Sequence, residues 1–335
     1  MRPSQLTAYQ AACLRGVSTS ALKAAAPEAQ DVIIYSGLNP SDIQPHVDGV
    51  TIPAQPWSVG SKVPMIFGSN ANEGALFALG TYESVVISAA NYSSFLTDNF
   101  GPAASIVAKQ YPLTLPAFNS TPYPAFAAIS TIITEAQFHC PAYQAMLKAQ
   151  ANNIPVYAYF NSHIPSCPWS EQIPASVIPY VGATHTSEIQ YVFGNGVGLP
   201  LPGGNCSFNT QEKAISETII AAWSAMASTG DPSVQGGFQW PRWNSQNSTG
   251  ANIANTTSVG ALDYSQCAFW DMIDNLYLNF TSSGANGTTG NSSTGTGNSS
   301  TGIEQANGAE RGVEKSVWGL PVTLVAGIVF SLLMA

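Results

Sequence analysis

The sequence predicts an α/β fold, and three observations carry that expectation. Hydrophobic residues fill 45% of the 335 positions while charged residues fill only 9%, so the chain can build a sizeable core. Two short runs read as strands. Residues 63–67 are apolar up to a Gly/Asn-rich loop, and residues 154–160 are β-branched and aromatic between Asn153 and Asn161. Helix-like segments lie around them: 92–100, 103–110, 123–138, 141–150 with Pro141 suited to a first turn, and 210–229.

Taken in order, residues 11–23 read as helix, turn and second helix, with Ser18 or Thr19 as N-cap. Asp48 before Gly49 reads as a turn residue, and His46 as a solvent-side loop residue. The segment 210–229 is the best helix in the chain. Asn209 can cap it, Glu212 can reach back in a capping box, and Ile215, Ile219, Ala222, Trp223 and Met226 form one apolar stripe. Gly230 stops that helix and Pro232 prevents its resumption. After about residue 280 the composition turns to Ser, Thr, Gly and Asn, a tract that cannot bury apolar area and is expected to be disordered.

Two loops carry chemistry-bearing residues. His185 lies in a loop after Gly182 and ahead of Glu188 and an apolar run that could start a helix. An imidazole at the lip of a packed element suits general-base work, because its ordinary pKa is near neutrality. Glu73 sits in the Gly/Asn-rich loop after the strand at 63–67, where a carboxylate could orient a histidine from another loop. Alone, either could be an ordinary loop residue.

Together the two loops resemble the type-B carboxylesterase/lipase family, which includes the cholinesterases. The acid loop Asn70-Ala-Asn-Glu73-Gly74-Ala-Leu-Phe77 fits that family's N-x-x-E-G-x-x-F. The base loop, from Gly182 through His185 and Glu188 to Phe193, fits G-x-x-H-x-x-E-[IL]-x-Y-V-F. Pro45 to Pro53 fits P-x-V-D-G-x-x-I-P, residues 222–232 and 240–243 resemble the family's G-D-P…W-P segment, and Cys13-Leu-Arg resembles its C-L-R segment. The resemblance implies an α/β-hydrolase fold, of which residues 1–280 would be the C-terminal portion, a partial sheet with flanking helices. It implies Glu73 as triad acid and His185 as triad base, and a disulfide between Cys140 and Cys267. Cys167 and Cys206 flank the His185 loop and are left to pair with each other. Cys13 is then alone.

The departures from the family matter as much. No G-x-S-x-G occurs, and no Gly-Gly run precedes the acid; Gly203-Gly204 follows His185 and is out of order. Ser69 lacks a strand–elbow–helix context and Ser187 reads as an ordinary loop serine. The resemblance therefore implies a serine ester hydrolase whose nucleophile and oxyanion hole are absent here, acting on a small-molecule or lipid ester. This chain alone is expected to be inactive. Residues 1–30 lack an apolar leader and read as an internal piece, which suits a partial gene product; a degenerate paralogue is the other explanation. A non-catalytic, cholinesterase-like adhesion protein is the alternative function.

A net charge of −9 argues against nucleic acid as a partner. Sequons occur at Asn91, Asn119, Asn205, Asn247, Asn255, Asn279, Asn286, Asn291 and Asn298, the last of them clustered in a stalk over 281–309. Residues 317–335 are apolar and uncharged, and a polar spacer separates them from the small residues Asn307, Gly308 and Ala309. That pattern reads as a GPI-attachment signal over 310–335 with Asn307 as the attachment site, and a single transmembrane anchor as its rival. The expected location is the outer face of the plasma membrane. No cofactor is expected. His139, Cys140, His163, Cys167 and Cys206 offer zinc-ligand types without zinc-ligand spacing, and an oxidising compartment favours disulfides.

Overall fold

The first strand starts two residues later than the apolar run suggests. The computed structural model describes residues 8–25, 47–54 and 59–284, and in it β1 is Met65–Asn70. Pro64 has no N–H to give a ladder; that of Met65 is the first to donate, to the Pro155 carbonyl at 3.1 Å. β2, Val156–Asn161, runs parallel to β1 in unbroken register, from Met65 opposite Val156 to Asn70 opposite Asn161. β3, Thr249–Ile253, adds parallel to β2, and β4, Thr257–Ala261, closes a hairpin on β3, giving the order β1-β2-β3-β4. The hairpin is not foreseen from sequence; both its strands carry a glycine, which weakens the strand signal.

Alternation along β2 divides the core. Val156, Ala158 and Phe160 face a layer of helices, whereas Tyr157 and Tyr159 face the opposite way. The helical layer comprises α1 (Glu73–Tyr82), α2 (Ala89–Phe100), α3 (Pro124–Ile133), α4 (Cys140–Ala151) and α6 (Cys267–Gly284). Val107, Ile129, Ile132, Met146 and Trp270 are buried at its centre. Against the other face lies α5, Thr210–Thr229. It carries the capping box between Asn209 and Glu212, and the left-handed Gly230 at its end. Ile215, Ile219 and Ala222 of its stripe are buried, with Trp223 and Met226 packed beside them.

Several helices differ from expectation in their bounds. α2 begins three residues early because the Ser88 hydroxyl accepts from the Asn91 N–H. The expected helices over 123–138 and 141–150 form a nearly continuous rod: a π-turn, Thr134–His139, joins α3 directly to α4. The widened turn leaves Phe138 against the core and His139 buried. The N-terminal pair is Ala8–Arg15 and Thr19–Ala25, and the Ser18 hydroxyl accepts from Ala21 N–H at 3.3 Å.

Cys140–Cys267 joins the starts of α4 and α6, and Cys167–Cys206 ties a loop to a small antiparallel ribbon, Val197–Leu199 with Cys206–Ser207. Cys13 is free and exposed. Asn91, Asn119, Asn205, Asn247 and Asn255 are all exposed. Asn286, Asn291, Asn298, Asn307 and His46 lie outside the described residues, as does the side chain of Asn279. No helix among the described residues is long and apolar enough to cross a membrane.

Candidate active site

Glu73 is not a loop residue: it is the first residue of α1. After β1 the chain needs only Ala71 and Asn72 to turn into the helix, and a carboxylate at a helix start is favoured by the backbone N–H groups there. Glu73 Oε1 accepts from the Asn70 N–H at 2.7 Å, which fixes the carboxylate against the end of β1. Its other oxygen, Oε2, lies 2.8 Å from His185 Nδ1. Glu73 is 5% exposed, so little water competes for either oxygen.

The loop that carries His185 is stitched to α1 by backbone. Asn72 N–H donates to the Ala183 carbonyl at 2.9 Å, and Asn72 and Thr184 form a parallel bridge. The Thr184 hydroxyl accepts from Leu76 N–H at 2.8 Å and donates to the Glu73 carbonyl at 3.3 Å. Gly182 makes this approach possible: it sits at φ +60°, and a Cβ there would stand 2.4 Å from Asn72 Oδ1. His185 then projects between Phe77 and Phe138, whose ring centroids lie 5.1 and 5.0 Å from its own.

An ionised carboxylate only accepts, so the His185 Nδ1 carries the proton in that bond. The neutral ring therefore presents a bare Nε2, and among the described residues the one hydrogen bond of the ring is through Nδ1. Burial depresses the His185 pKa, but the hydrogen bond and charge of Glu73, with the charge of Glu188, outweigh it and leave the imidazole above its ordinary value. A histidine held by a carboxylate on Nδ1 with Nε2 open can take a proton and stabilise the resulting imidazolium.

Behind this pair lies a second carboxyl. Glu188 Oε2 accepts from Asn70 Nδ2 at 2.5 Å. Burial, then the Glu73 charge, push the Glu188 pKa up to about 7. The sequence shows Glu188 only as a motif position and offers Asn161 only as a strand boundary, yet Asn161 Nδ2 donates to Asn70 Oδ1 at 2.8 Å. Phe138 is equally hidden from sequence, because its contact with His185 depends on the π-turn.

The remaining candidates lie elsewhere. Ser69 is 2% exposed and its hydroxyl is 2.7 Å from His139 Nδ1, while His139 Nε2 donates to the Asp263 carbonyl at 2.9 Å. Burial lowers the His139 pKa. Ser187 is buried, with no hydrogen-bond partner for its hydroxyl. Neither serine hydroxyl hydrogen-bonds His185. Of the zinc-ligand types, Cys140, Cys167 and Cys206 are in disulfides, and His163 lies 3.4 Å from Glu212 on α5. The Asp48 carboxylate accepts from the N–H groups of Ile52, Val50 and Thr51, which pull its pKa down to about 2, as suits a turn. A cavity of about 560 Å³ is lined by Thr134, Glu135, His139, Phe160 and Asp263 among others, but not by Glu73 or His185.

A carboxylesterase family model matches residues 3–270. The para-nitrobenzyl esterase of Bacillus subtilis is 30% identical over 209 residues, 61% of this chain and 37% of that protein. The acetylcholinesterase of Leptinotarsa decemlineata is 24% identical over 246 residues, 68% of this chain and 36% of that one. Carboxylesterase 5A of Felis catus is 33% identical over 120 residues, 35% of this chain and 20% of that one. The chain thus spans little more than a third of the length of the first two of these curated relatives. It belongs to the carboxylesterase family, whose fold is the α/β-hydrolase fold, and its mixed sheet with flanking helices accords with that.

Proposed function

We propose that Glu73 and His185 are the acid and base of a Ser-His-Glu triad that hydrolyses a carboxylic ester. The observation that carries this reading is the 2.8 Å contact between Glu73 Oε2 and His185 Nδ1, which leaves Nε2 open. In the first half-reaction a serine hydroxyl attacks the acyl carbon and its proton passes to His185 Nε2. The imidazolium is stabilised by Glu73, and the same proton then goes to the leaving alkoxide. Water repeats the sequence on the acyl-serine. Phe77 and Phe138 limit rotation of the ring between these transfers.

The serine and the oxyanion donors have no counterpart in this sequence, so the 335 residues alone give no turnover. The test is hydrolysis of p-nitrophenyl butyrate by this chain, and by a longer form of the protein carrying a G-x-S-x-G elbow. The longer form is expected to be active and to lose on the order of 10³-fold or more in kcat on His185→Ala. Equal rates with and without His185 would remove it from the mechanism. An elbow whose serine is replaced would instead favour a cell-surface binding protein. The exposed sequons and the apolar C-terminal pattern support a glycosylated, GPI-anchored protein at the cell surface; phosphatidylinositol-specific phospholipase C should release it from cells, and retention would oppose the anchor.

A further inference from the structure

The last residues of β1 and β2 are both asparagine, stand opposite each other in register, and are both fully buried. Their amides are locked in one orientation. Asn161 Oδ1 accepts from His163 N–H at 3.3 Å, so its Nδ2 faces Asn70 Oδ1 at 2.8 Å. Asn70 Nδ2 must then face the other way, where it donates to Glu188 Oε2 at 2.5 Å and to the Thr184 carbonyl at 3.1 Å. Reversing either amide would set oxygen against oxygen where no water can enter. The backbone N–H of the same Asn70 holds Glu73. One residue therefore grips both carboxyls that act on His185.

We propose that Asn70, oriented by Asn161, is a positioning residue for the base: its side-chain amide holds the Glu188 carboxyl beside the Glu73–His185 pair and sets how much negative charge the imidazole feels. The proposal rests on the reading of His185 as the base. Three groups share the effect: Glu73 from α1, His185 on its own loop, and Tyr159 from β2, which feels the charge of Glu188. A donated hydrogen bond favours the ionised carboxylate. Without it, Glu188 keeps its proton to higher pH, His185 feels less negative charge, and its protonation midpoint falls.

The experiment is an NMR titration of the full chain with ¹⁵N-labelled histidine, in which the His185 signals are identified among four histidines by their loss in His185→Gln. Glu188→Gln and Asn70→Ala should each lower the His185 midpoint, with a roughly threefold change in protonation equilibrium, about half a pH unit. The double variant should move no further than Glu188→Gln alone, because the amide acts through that carboxyl. A general loosening of the site would shift His185 again in the Glu188→Gln background. That additivity, or an unmoved midpoint in Asn70→Ala, would overturn the proposal. If Asn70→Ala does not fold, Asn161→Leu, which removes the donor to Asn70 Oδ1 and so frees the Asn70 amide to turn away from Glu188, takes its role in the same cycle and should lower the midpoint in the same way. Glu73→Gln is the separate control: if it leaves His185 unmoved, the base reading itself fails whatever the Asn70 variants do.

Discussion

Gly74 follows the acid and shows how closely the site depends on helix packing. A Cβ at this position would stand 2.2 Å from the Ser130 carbonyl oxygen of α3 and 2.6 Å from Ile133 Cβ, where ordinary contact begins at 3.4 Å. Gly74→Ala must therefore part α1 from α3 by about 1 Å, the difference between 3.4 and 2.2 Å. The Thr134 hydroxyl bridges the same gap. It accepts from Gly74 N–H at 2.9 Å and donates to the Ser130 carbonyl at 2.7 Å, so the parting strains both bonds. Alanine gains about 1 kcal/mol in helix propensity. Overpacking costs about 1–3 kcal/mol and a weakened hydrogen bond about 1 kcal/mol. The net expectation is a loss of about 1–3 kcal/mol, read as a lower urea midpoint with an unchanged slope. Because Glu73 is the neighbouring residue, the same movement should stretch its bond to His185 and lower the histidine's midpoint. A Gly74→Ala variant as stable as the parent, with His185 unmoved, would refute the packing argument.

Stability should fall as pH rises through neutrality. Glu188 has its pKa raised from 4.5 to about 7, by burial first and the Glu73 charge second, so the fold keeps a proton that the unfolded chain has released. The resulting loss accrues between about pH 4.5 and 7 and amounts to a few kcal/mol at most. His185 is also raised in the fold, so its contribution is complete below its unfolded value of 6.5 and disappears as pH passes the folded midpoint. Urea midpoints should therefore be higher near about pH 5.5 than near about pH 8, and Glu188→Gln should flatten the difference. At the acid end Glu212 acts oppositely. Burial resists its ionisation, but hydrogen bonds from His163, Ser166 and Asn209 hold its pKa down to about 2, and its contribution is lost as pH falls towards that value. Removing the Cys140–Cys267 bridge, which spans 127 residues, should cost about 5 kcal/mol by loop entropy, against about 4 kcal/mol for the 39-residue Cys167–Cys206 bridge. Denaturation of the paired Cys→Ala variants would show the reverse order if local packing dominates. Gly182→Ala should destabilise by about 1–2 kcal/mol, from the left-handed backbone and the contact with Asn72; an unchanged urea midpoint would show that the loop relaxes freely.

Much of the fold is legible where local chemistry decides it. The capping box at Asn209 and the glycine stop at Gly230 mark α5 to the residue, since both ends are closed by side chains or backbone in the sequence itself. Boundaries set by distant partners are not legible. β1 runs to Asn70 because β2 supplies its ladder, and α3 meets α4 without a break because a π-turn absorbs residues 134–139. The site divides in the same way. Glu73 and His185 stand out because their loops carry motif residues whose spacing survives in one dimension. Asn161, Phe138 and the Ser69–His139 pair do not, since each gains its meaning from a contact between elements far apart in sequence. Placing Glu73 in a loop errs by one step: two residues suffice to turn β1 into α1, and no helix signal precedes the acid.

Glu73 holds the His185 imidazole with its proton on Nδ1 and its lone pair on Nε2. The ¹⁵N spectrum of that ring across pH, in the parent chain and in Glu73→Gln, tests this. A midpoint above that of a free histidine, with neutral His185 protonated on Nδ1 and both features lost in Glu73→Gln, is the predicted result. A ring that titrates like a free histidine, or carries its neutral proton on Nε2 whether or not Glu73 is present, would contradict the account.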